Sequence, residues 1–180
     1  MGRVVCVNRA RERELLQQGK TIRTGIFKEP VAGPVSVGPL GLQGDCIADS
    51  RYHGGPDKAV YAYAVEDYAW WEAELGKTLA PGTFGENLTL AGMDLALARA
   101  GDVLKAGTTR LQAVSPRIPC RTLAARMGDP KFVKRFQQAA RFGIYFRVLA
   151  PGAVQAGDAA EWESRGQGES IVEMGRRLAR

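Results

Sequence analysis

Short apolar runs separated by glycine and proline set the rhythm of this chain. Residues 4–7, 35–37, 59–64, 103–106, 110–114 and 144–149 each read as a short strand, and Gly107-Thr108-Thr109 reads as a hairpin turn between two of them. Frequent turn signals between short strands predict a mainly β fold, a sandwich or barrel, over a doubly wound α/β sheet. Helical spacing is confined to a few segments. Residues 66–75 place Tyr68, Trp71 and Leu75 on one stripe, ended by Gly76. Asp129-Pro130 opens a second helix, with Phe132, Val133 and Phe136 on one face and a stop at Gly143. A shorter helix is expected over residues 121–127. These helices are peripheral, and their aromatic residues are expected in the core.

The stretch 159–170 reads as a linker, rich in charged and small residues. Ser170 then caps a last helix with Ile171, Met174 and Leu178 on one stripe. A helix that short is marginal alone in water, so it needs a surface to dock on: this domain, a second subunit or a further segment. The expected organisation is one domain over residues 1–158, followed by a linker and C-terminal helix over 159–180.

Composition narrows the class. A chain of 180 residues with 45% hydrophobic and 24% charged residues suits one globular domain with a short appendage. No apolar run approaches the roughly 20 residues of a membrane helix, and the N-terminus turns charged too soon for a signal peptide. A cytoplasmic protein with no membrane association is expected. The net charge of +6 raises nucleic-acid binding. Acidic residues are interspersed nearly everywhere, however, and no nucleic-acid motif is present, so a solvated basic surface that can still take a small anion is expected instead. Three cysteines without CxxC spacing argue against a disulfide framework or a structural zinc site. One histidine, His53, excludes a multi-histidine metal site within a single chain.

Four loops carry candidate chemistry. In Pro116-Arg117-Ile118-Pro119-Cys120 two prolines fix the spacing of an arginine and a cysteine. A helix beginning beside Cys120 favours the thiolate, which suits a nucleophile, a redox centre or a soft metal ligand. The loop Arg51-Tyr52-His53-Gly54-Gly55-Pro56-Asp57-Lys58 gathers cations and the one imidazole beside two glycines that permit close backbone approach. It equally suits a tight surface turn. Gly82-Thr83-Phe84-Gly85-Glu86-Asn87 offers Glu86 and Asn87 to a ligand or to buried loop amides. Asp45 and Asp49, in the loop containing Cys46, read as turn formers more readily than as a cation site. Cys6, within Val4-Val5-Cys6-Val7, is expected in the core and Cys46 is expected to be a spectator.

Taken in order, Thr24-Gly25-Ile26-Phe27-Lys28-Glu29-Pro30, Gly44-Asp45, His53-Gly54-Gly55-Pro56-Asp57-Lys58-Ala59-Val60, Phe84-Gly85-Glu86-Asn87-Leu88, Pro116-Arg117-Ile118-Pro119-Cys120 and Gly157-Asp158 resemble the MOSC domain, named for the C-terminal domain of molybdenum cofactor sulfurases, in its YiiM-like branch. The resemblance implies a β-barrel with peripheral α-helices and a pocket for the molybdenum cofactor. It places Cys120 on the signature cysteine, the expected ligand to molybdenum. His53 and Arg117 join it as expected catalytic groups. Arg51, Gly54, Gly55, Lys58, Glu86, Asn87 and Arg117 are the expected cofactor-binding residues. The implied activity is reduction of N-hydroxylated small molecules such as N-hydroxylaminopurine-type bases. Electrons would come from a separate flavoprotein, since no nicotinamide or flavin motif is visible, and a homodimer is compatible. The alternatives are a carrier that binds the cofactor or sulfur without turnover, and a cofactor-free thiol protein that senses oxidants. Two departures stand out: Ser115 occupies a position where the family often has glutamine, and fuller members continue into a small helical domain of which residues 171–178 would be only the first helix.

Overall fold

The computed structural model describes residues 2–48 and 53–179. Along the chain run β1 (Gly2–Ala10), the hairpin β2 (Arg13–Gln17) and β3 (Lys20–Thr24), then β4 (Lys28–Pro30), β5 (Val35–Gly38), β6 (Gly41–Leu42) and β7 (Val60–Ala64). Helix α1 (Val65–Leu75) leads to β8 (Leu88–Ala91), β9 (Val103–Ala106) and β10 (Thr109–Pro116). Helices α2 (Arg121–Met127) and α3 (Phe132–Ala139) precede β11 (Ile144–Ala150), β12 (Gly152–Val154), β13 (Ala159–Ser164) and α4 (Ile171–Leu178). The predicted hairpin at Gly107 joins β9 to β10, with Thr109 opposite Ala106.

Seven strands close into a barrel in the order β13-β9-β10-β11-β7-β8-β1, with β1 pairing back onto β13. Every neighbouring pair is antiparallel except β7 and β8, where Ala62 lies beside Leu88 in parallel. A parallel pair needs a crossover, and α1 supplies it. The interior is filled by apolar, mostly aliphatic side chains such as Val60, Leu90, Leu104, Leu111, Ile144 and Phe146. In β1 the register slips between Val4 and Cys6 against β8. This bulge passes the inward position from residue 6 to residue 7, so Val4 and Val7 both enter the core. Cys6, expected in the core, is therefore only half-buried.

A second, aromatic core lies outside the barrel. All five residues of β7 are buried because both faces of the strand are covered. Val60, Ala62 and Ala64 face the barrel, whereas Tyr61 and Tyr63 join Tyr68 and Trp71 of α1, Phe84, and Phe132 and Phe136 of α3. Trp71 donates its indole N–H to the Tyr63 hydroxyl at 2.8 Å, and that hydroxyl donates to the Arg141 carbonyl at 2.7 Å. Helix α3 ends at Ala139, earlier than the stop expected at Gly143. Ala140 takes the left-handed conformation at φ 53° instead. Gly143 serves the entry to β11: at φ 63° it passes so close to β7 that a β-carbon there would lie 2.5 Å from the Ala62 carbonyl oxygen.

The expected linker at 159–170 is corrected by the structure. Its first half is β13, which pairs with β1 through Ala160 opposite Gly2 and with β9 through Trp162 opposite Leu104, and so closes the barrel. Only Ala160 and Trp162 face inward, between exposed charged residues, which is why composition suggested a linker. The second half is pinned as well. The buried Asp102 carboxylate accepts from the Gly166 N–H at 2.6 Å and the Arg99 N–H at 3.0 Å. The last helix docks on this domain: Ile171 is buried, and Gly175 lies flat on the Phe142 ring, where a β-carbon would approach to 2.3 Å. Ser170 caps it as predicted, accepting from the Glu173 N–H at 3.4 Å.

A chain ending at residue 158 is therefore expected to lose the cooperative unfolding transition altogether, as read by circular dichroism on heating. A linker in 159–164 would leave that transition in place.

Candidate functional site

The loop ends on one side of the barrel converge on a single cavity of about 1200 Å³. Its walls come from the hairpin β2–β3, the loop carrying Asp45 and Cys46, the His53–Lys58 loop, Gly85 and Asn87, the segment 115–122, and Leu178 of α4. Its floor is a row of side chains in register across three strands. Ser115 of β10 stands opposite Tyr145 of β11, which stands opposite Tyr61 of β7. The Tyr145 and Tyr61 rings are 5.1 Å apart. Asn87 extends the row, its side-chain oxygen accepting from the Tyr61 N–H at 3.1 Å.

Cys120 stands over this floor as the N-cap residue of α2, in extended conformation directly after Pro119. Burial pushes its thiol up, but His53, hydrogen-bonded to it, and the nearby Arg117 guanidinium outweigh that and bring it down to about 6. Helix α2 has only seven residues, so its dipole is the lesser influence. Arg117 is itself buried, 4% exposed. Its Nη1 donates to the Phe84 carbonyl at 2.7 Å, and its charge lies over the Tyr61 ring at 5.4 Å. Burial works against that charge, yet the neighbouring Tyr145, Tyr61 and Cys120 hold the guanidinium above its ordinary value. His53 Nδ1 lies 3.2 Å from the Tyr145 hydroxyl.

The His53 loop is held by its own chemistry. Gly54 and Gly55 both take φ 80°, a conformation that side chains avoid. Asp57 pairs with Arg147 of β11 at 2.6 Å, fastening the loop to the barrel. Lys58 lines the cavity with its ammonium 6.0 Å from the Tyr145 ring centre.

The facing wall holds a buried ion pair that the sequence did not single out. Lys28 donates to both oxygens of Asp45, at 2.6 and 2.5 Å. Asp45 also accepts from the Ala10 N–H and from the Asn87 amide, each at 2.8 Å. Burial pulls the Lys28 ammonium down, with Asp45 working against it. The Asp45 carboxylate is thus occupied by an internal ammonium rather than open to a cation. Cys46, expected to be a spectator, lines this wall, its thiol pushed up by burial.

Of the expected site residues, Cys120, His53, Arg117, Gly54, Lys58 and Asn87 share the cavity. Gly55 is not among the residues that line it, and Arg51 falls outside the described residues. Glu86 is not brought to the cavity. It is fully buried on the other side of its strand entrance, with Oε1 accepting from the Tyr68 hydroxyl at 2.6 Å, the Gly82 N–H at 2.7 Å and the Thr89 hydroxyl at 2.9 Å. Among the described residues its Oε2 has no hydrogen-bond partner, and burial pushes the carboxyl above its ordinary value. Sequence reasoning missed Tyr145 and Tyr61. Their signal was present: each is a large polar aromatic at an outward position of a strand that borders the Arg117 loop. Among the described residues no cluster of three or more His, Cys, Asp or Glu could hold a metal ion.

The fold and this convergence of loops have counterparts among known proteins. The description of the MOSC domain matches residues 49–161. The chain belongs to the MOSC domain family. Over 175 residues it is 39% identical to the uncharacterized protein YflK of Bacillus subtilis strain 168, covering 97% of this chain and 79% of that protein. It is 34% identical over 146 residues to protein YiiM of Escherichia coli K12, covering 79% of this chain and 65% of that one. A Gibberella moniliformis protein named a reductase is 36% identical over 144 residues, which cover 78% of this chain but only 26% of that protein. The crystal structure of YiiM from Geobacillus stearothermophilus superposes with a TM-score of 0.81 at 33% identity, covering 99% of this chain and 84% of that one. That of Escherichia coli YiiM gives 0.69 at 29% identity, covering 92% and 75%. Within the family the chain falls in the YiiM-like branch.

Two outcomes follow from the electrostatics. Alkylation of Cys120 by iodoacetamide, followed by mass spectrometry against pH, should rise to half its plateau near pH 6, and His53→Ala should move that midpoint upward by at least ~1 pH unit. A midpoint near the ordinary thiol value in both proteins contradicts the assignment. For Glu86, a raised folded-state value makes its contribution to stability largest in acid and diminishes it as pH rises from the ordinary carboxyl range through the folded-state value. Glu86→Gln keeps the accepting oxygen and removes this dependence. Urea unfolding should find the variant gaining on the wild type as pH rises from 4.5 to neutral.

Proposed function

We propose that the cavity takes the molybdenum cofactor, with the Cys120 thiolate as a ligand to molybdenum, and that the loaded protein reduces N-hydroxylated small molecules. The observation that carries this reading is the shared cavity wall of Cys120, His53 and Arg117, with the thiol lowered to about 6. The residues present fit the group. A thiolate is a soft donor suited to a sulfur-rich metal. Arg117 is a buried cation that forms no ion pair with a carboxylate among the described residues, so an anionic ligand complements it. Membership of the MOSC family and the relative named a reductase support an oxidoreductase of this kind.

In this reading Arg117 and Lys58 meet anionic oxygens of the cofactor or substrate, joined by Arg51. The backbone at Gly54 and the Asn87 amide hold the polar edges of the bound molecules. The cofactor, when bound, supplies the two electrons that cleave the substrate N–O bond. Overall, an N–OH group with two electrons and two protons becomes N–H and water. His53 holds a proton at the cavity wall and gives it to the departing oxygen. Electrons are drawn from a separate donor such as a flavoprotein.

Expressed in a host that makes the cofactor, the wild type should carry close to one molybdenum per chain and Cys120→Ala should lose most of it, by metal analysis. Equal molybdenum in both overturns the ligand assignment. Loaded protein that accepts electrons from a reduced viologen yet leaves N-hydroxylated purines unreduced overturns the activity and favours a carrier.

A further inference from the structure

We propose that Ser115 is a further ligand-binding residue, whose hydroxyl meets the polar edge of a nitrogen heterocycle held in the cavity. This deepens the reading above and rests on it for the identity of the heterocycle, but the contact itself is testable apart from turnover.

The case is an inventory of the cavity floor, which is formed by Ser115, Tyr145, Tyr61 and Asn87. Three of these already have protein partners at their polar ends. The Tyr61 hydroxyl donates to the Phe142 carbonyl at 2.9 Å. The Tyr145 hydroxyl lies 3.2 Å from His53 Nδ1. The Asn87 oxygen accepts from the Tyr61 N–H, and its amide donates to Asp45. Among the described residues the Ser115 hydroxyl has no hydrogen-bond partner. Its position follows from a bulge. Ala113 and Ser115 would share a face in a regular strand. The register of β10 slips between them, so Ala113 stays opposite Phe146 in the barrel core while Ser115 stands opposite Tyr145 in the cavity. Being short beside two tyrosines, it leaves the floor lowest at this point. Being half-buried, it keeps its hydroxyl open to a ligand. A hydroxyl both donates and accepts. That suits the mixed donors and acceptors along the edge of a nitrogen heterocycle, the class that includes both the pterin of the cofactor and the purine of the proposed substrate.

The test compares wild type with Ser115→Ala, which lacks the hydroxyl, and Ser115→Thr, which keeps it, each expressed in a host that makes the cofactor. Both variants should melt close to the wild type, since no protein partner is lost. Pterin retained after dialysis, read as fluorescence after oxidative release, reports the cofactor as the source of the heterocycle. KM for an N-hydroxylated purine reports the substrate. Ser115→Ala should weaken one of the two by about threefold to tenfold, the worth of one neutral hydrogen bond, with kcat held and Ser115→Thr near the wild type. An alanine variant equal to the wild type in both overturns the proposal, and so does a loss that threonine shares. A wild type without pterin overturns the preceding section instead. Titration calorimetry of that cofactor-free protein with the same purine then decides the contact: weaker binding to Ser115→Ala upholds it, and equal or absent binding overturns it.

Discussion

Burial of the Arg117 guanidinium is the constraint on which the rest of the site depends. Taking an arginine out of water costs several kcal/mol unless its donors and charge are met. Here one N–H is met by the Phe84 carbonyl and the charge by the Tyr61 face, the Tyr145 oxygen and the Cys120 thiolate. These partners come from four separate parts of the sequence. Satisfying one cation therefore draws the 84–87 loop, strands β7 and β11, and the start of α2 to the same place. His53 is drawn in by the same hydroxyl that faces Arg117. The arginine and the cysteine depend on each other: the cation lowers the thiol, and the thiolate compensates the cation.

The two walls of the cavity handle charge differently. Around Cys120 a cation and a thiolate meet beside a tyrosine hydroxyl and an imidazole. Across from it, Lys28 and Asp45 are a closed pair whose remaining positions are filled by Asn87 and the Ala10 amide. Asn87 belongs to both arrangements, since its oxygen holds β7 and its amide holds Asp45. Its neighbour Glu86 points the opposite way and ties α1 to the 82–85 turn through Tyr68 and Gly82. Adjacent residues of one short motif thus divide the work between the cavity and the scaffold.

This division marks how far the sequence could be read. The six strands marked by apolar runs, the hairpin at Gly107, the helix caps at Ser170 and Gly76, and the Cys120 loop follow from local chemistry, which pattern, turn and capping rules describe. Glu86 was misjudged because a carboxylate in a glycine-rich loop reads the same whether it faces a ligand or a buried tyrosine. Residues 159–164 were misjudged because a strand with only Ala160 and Trp162 facing inward buries too little to stand out from a polar tail. Tyr61 and Tyr145 were missed because their meaning lies in register across strands, which no single segment carries. The MOSC resemblance supplied the order of the loops, whereas the geometry supplied the floor they share.

The closure of the barrel has a consequence for how the protein comes into being. Gly2 and Arg3 pair with Ala160 and Ala159, residues at opposite ends of the chain. On the ribosome the first strand must wait, one edge unpaired, until β13 has emerged. Such long-range pairing makes for slow, late-closing folding. The loops around Cys120 hang on this barrel, so the thiol acquires its surroundings only once residues 159–164 have paired. Any ligand that needs the whole cavity must then be taken up after the barrel has closed.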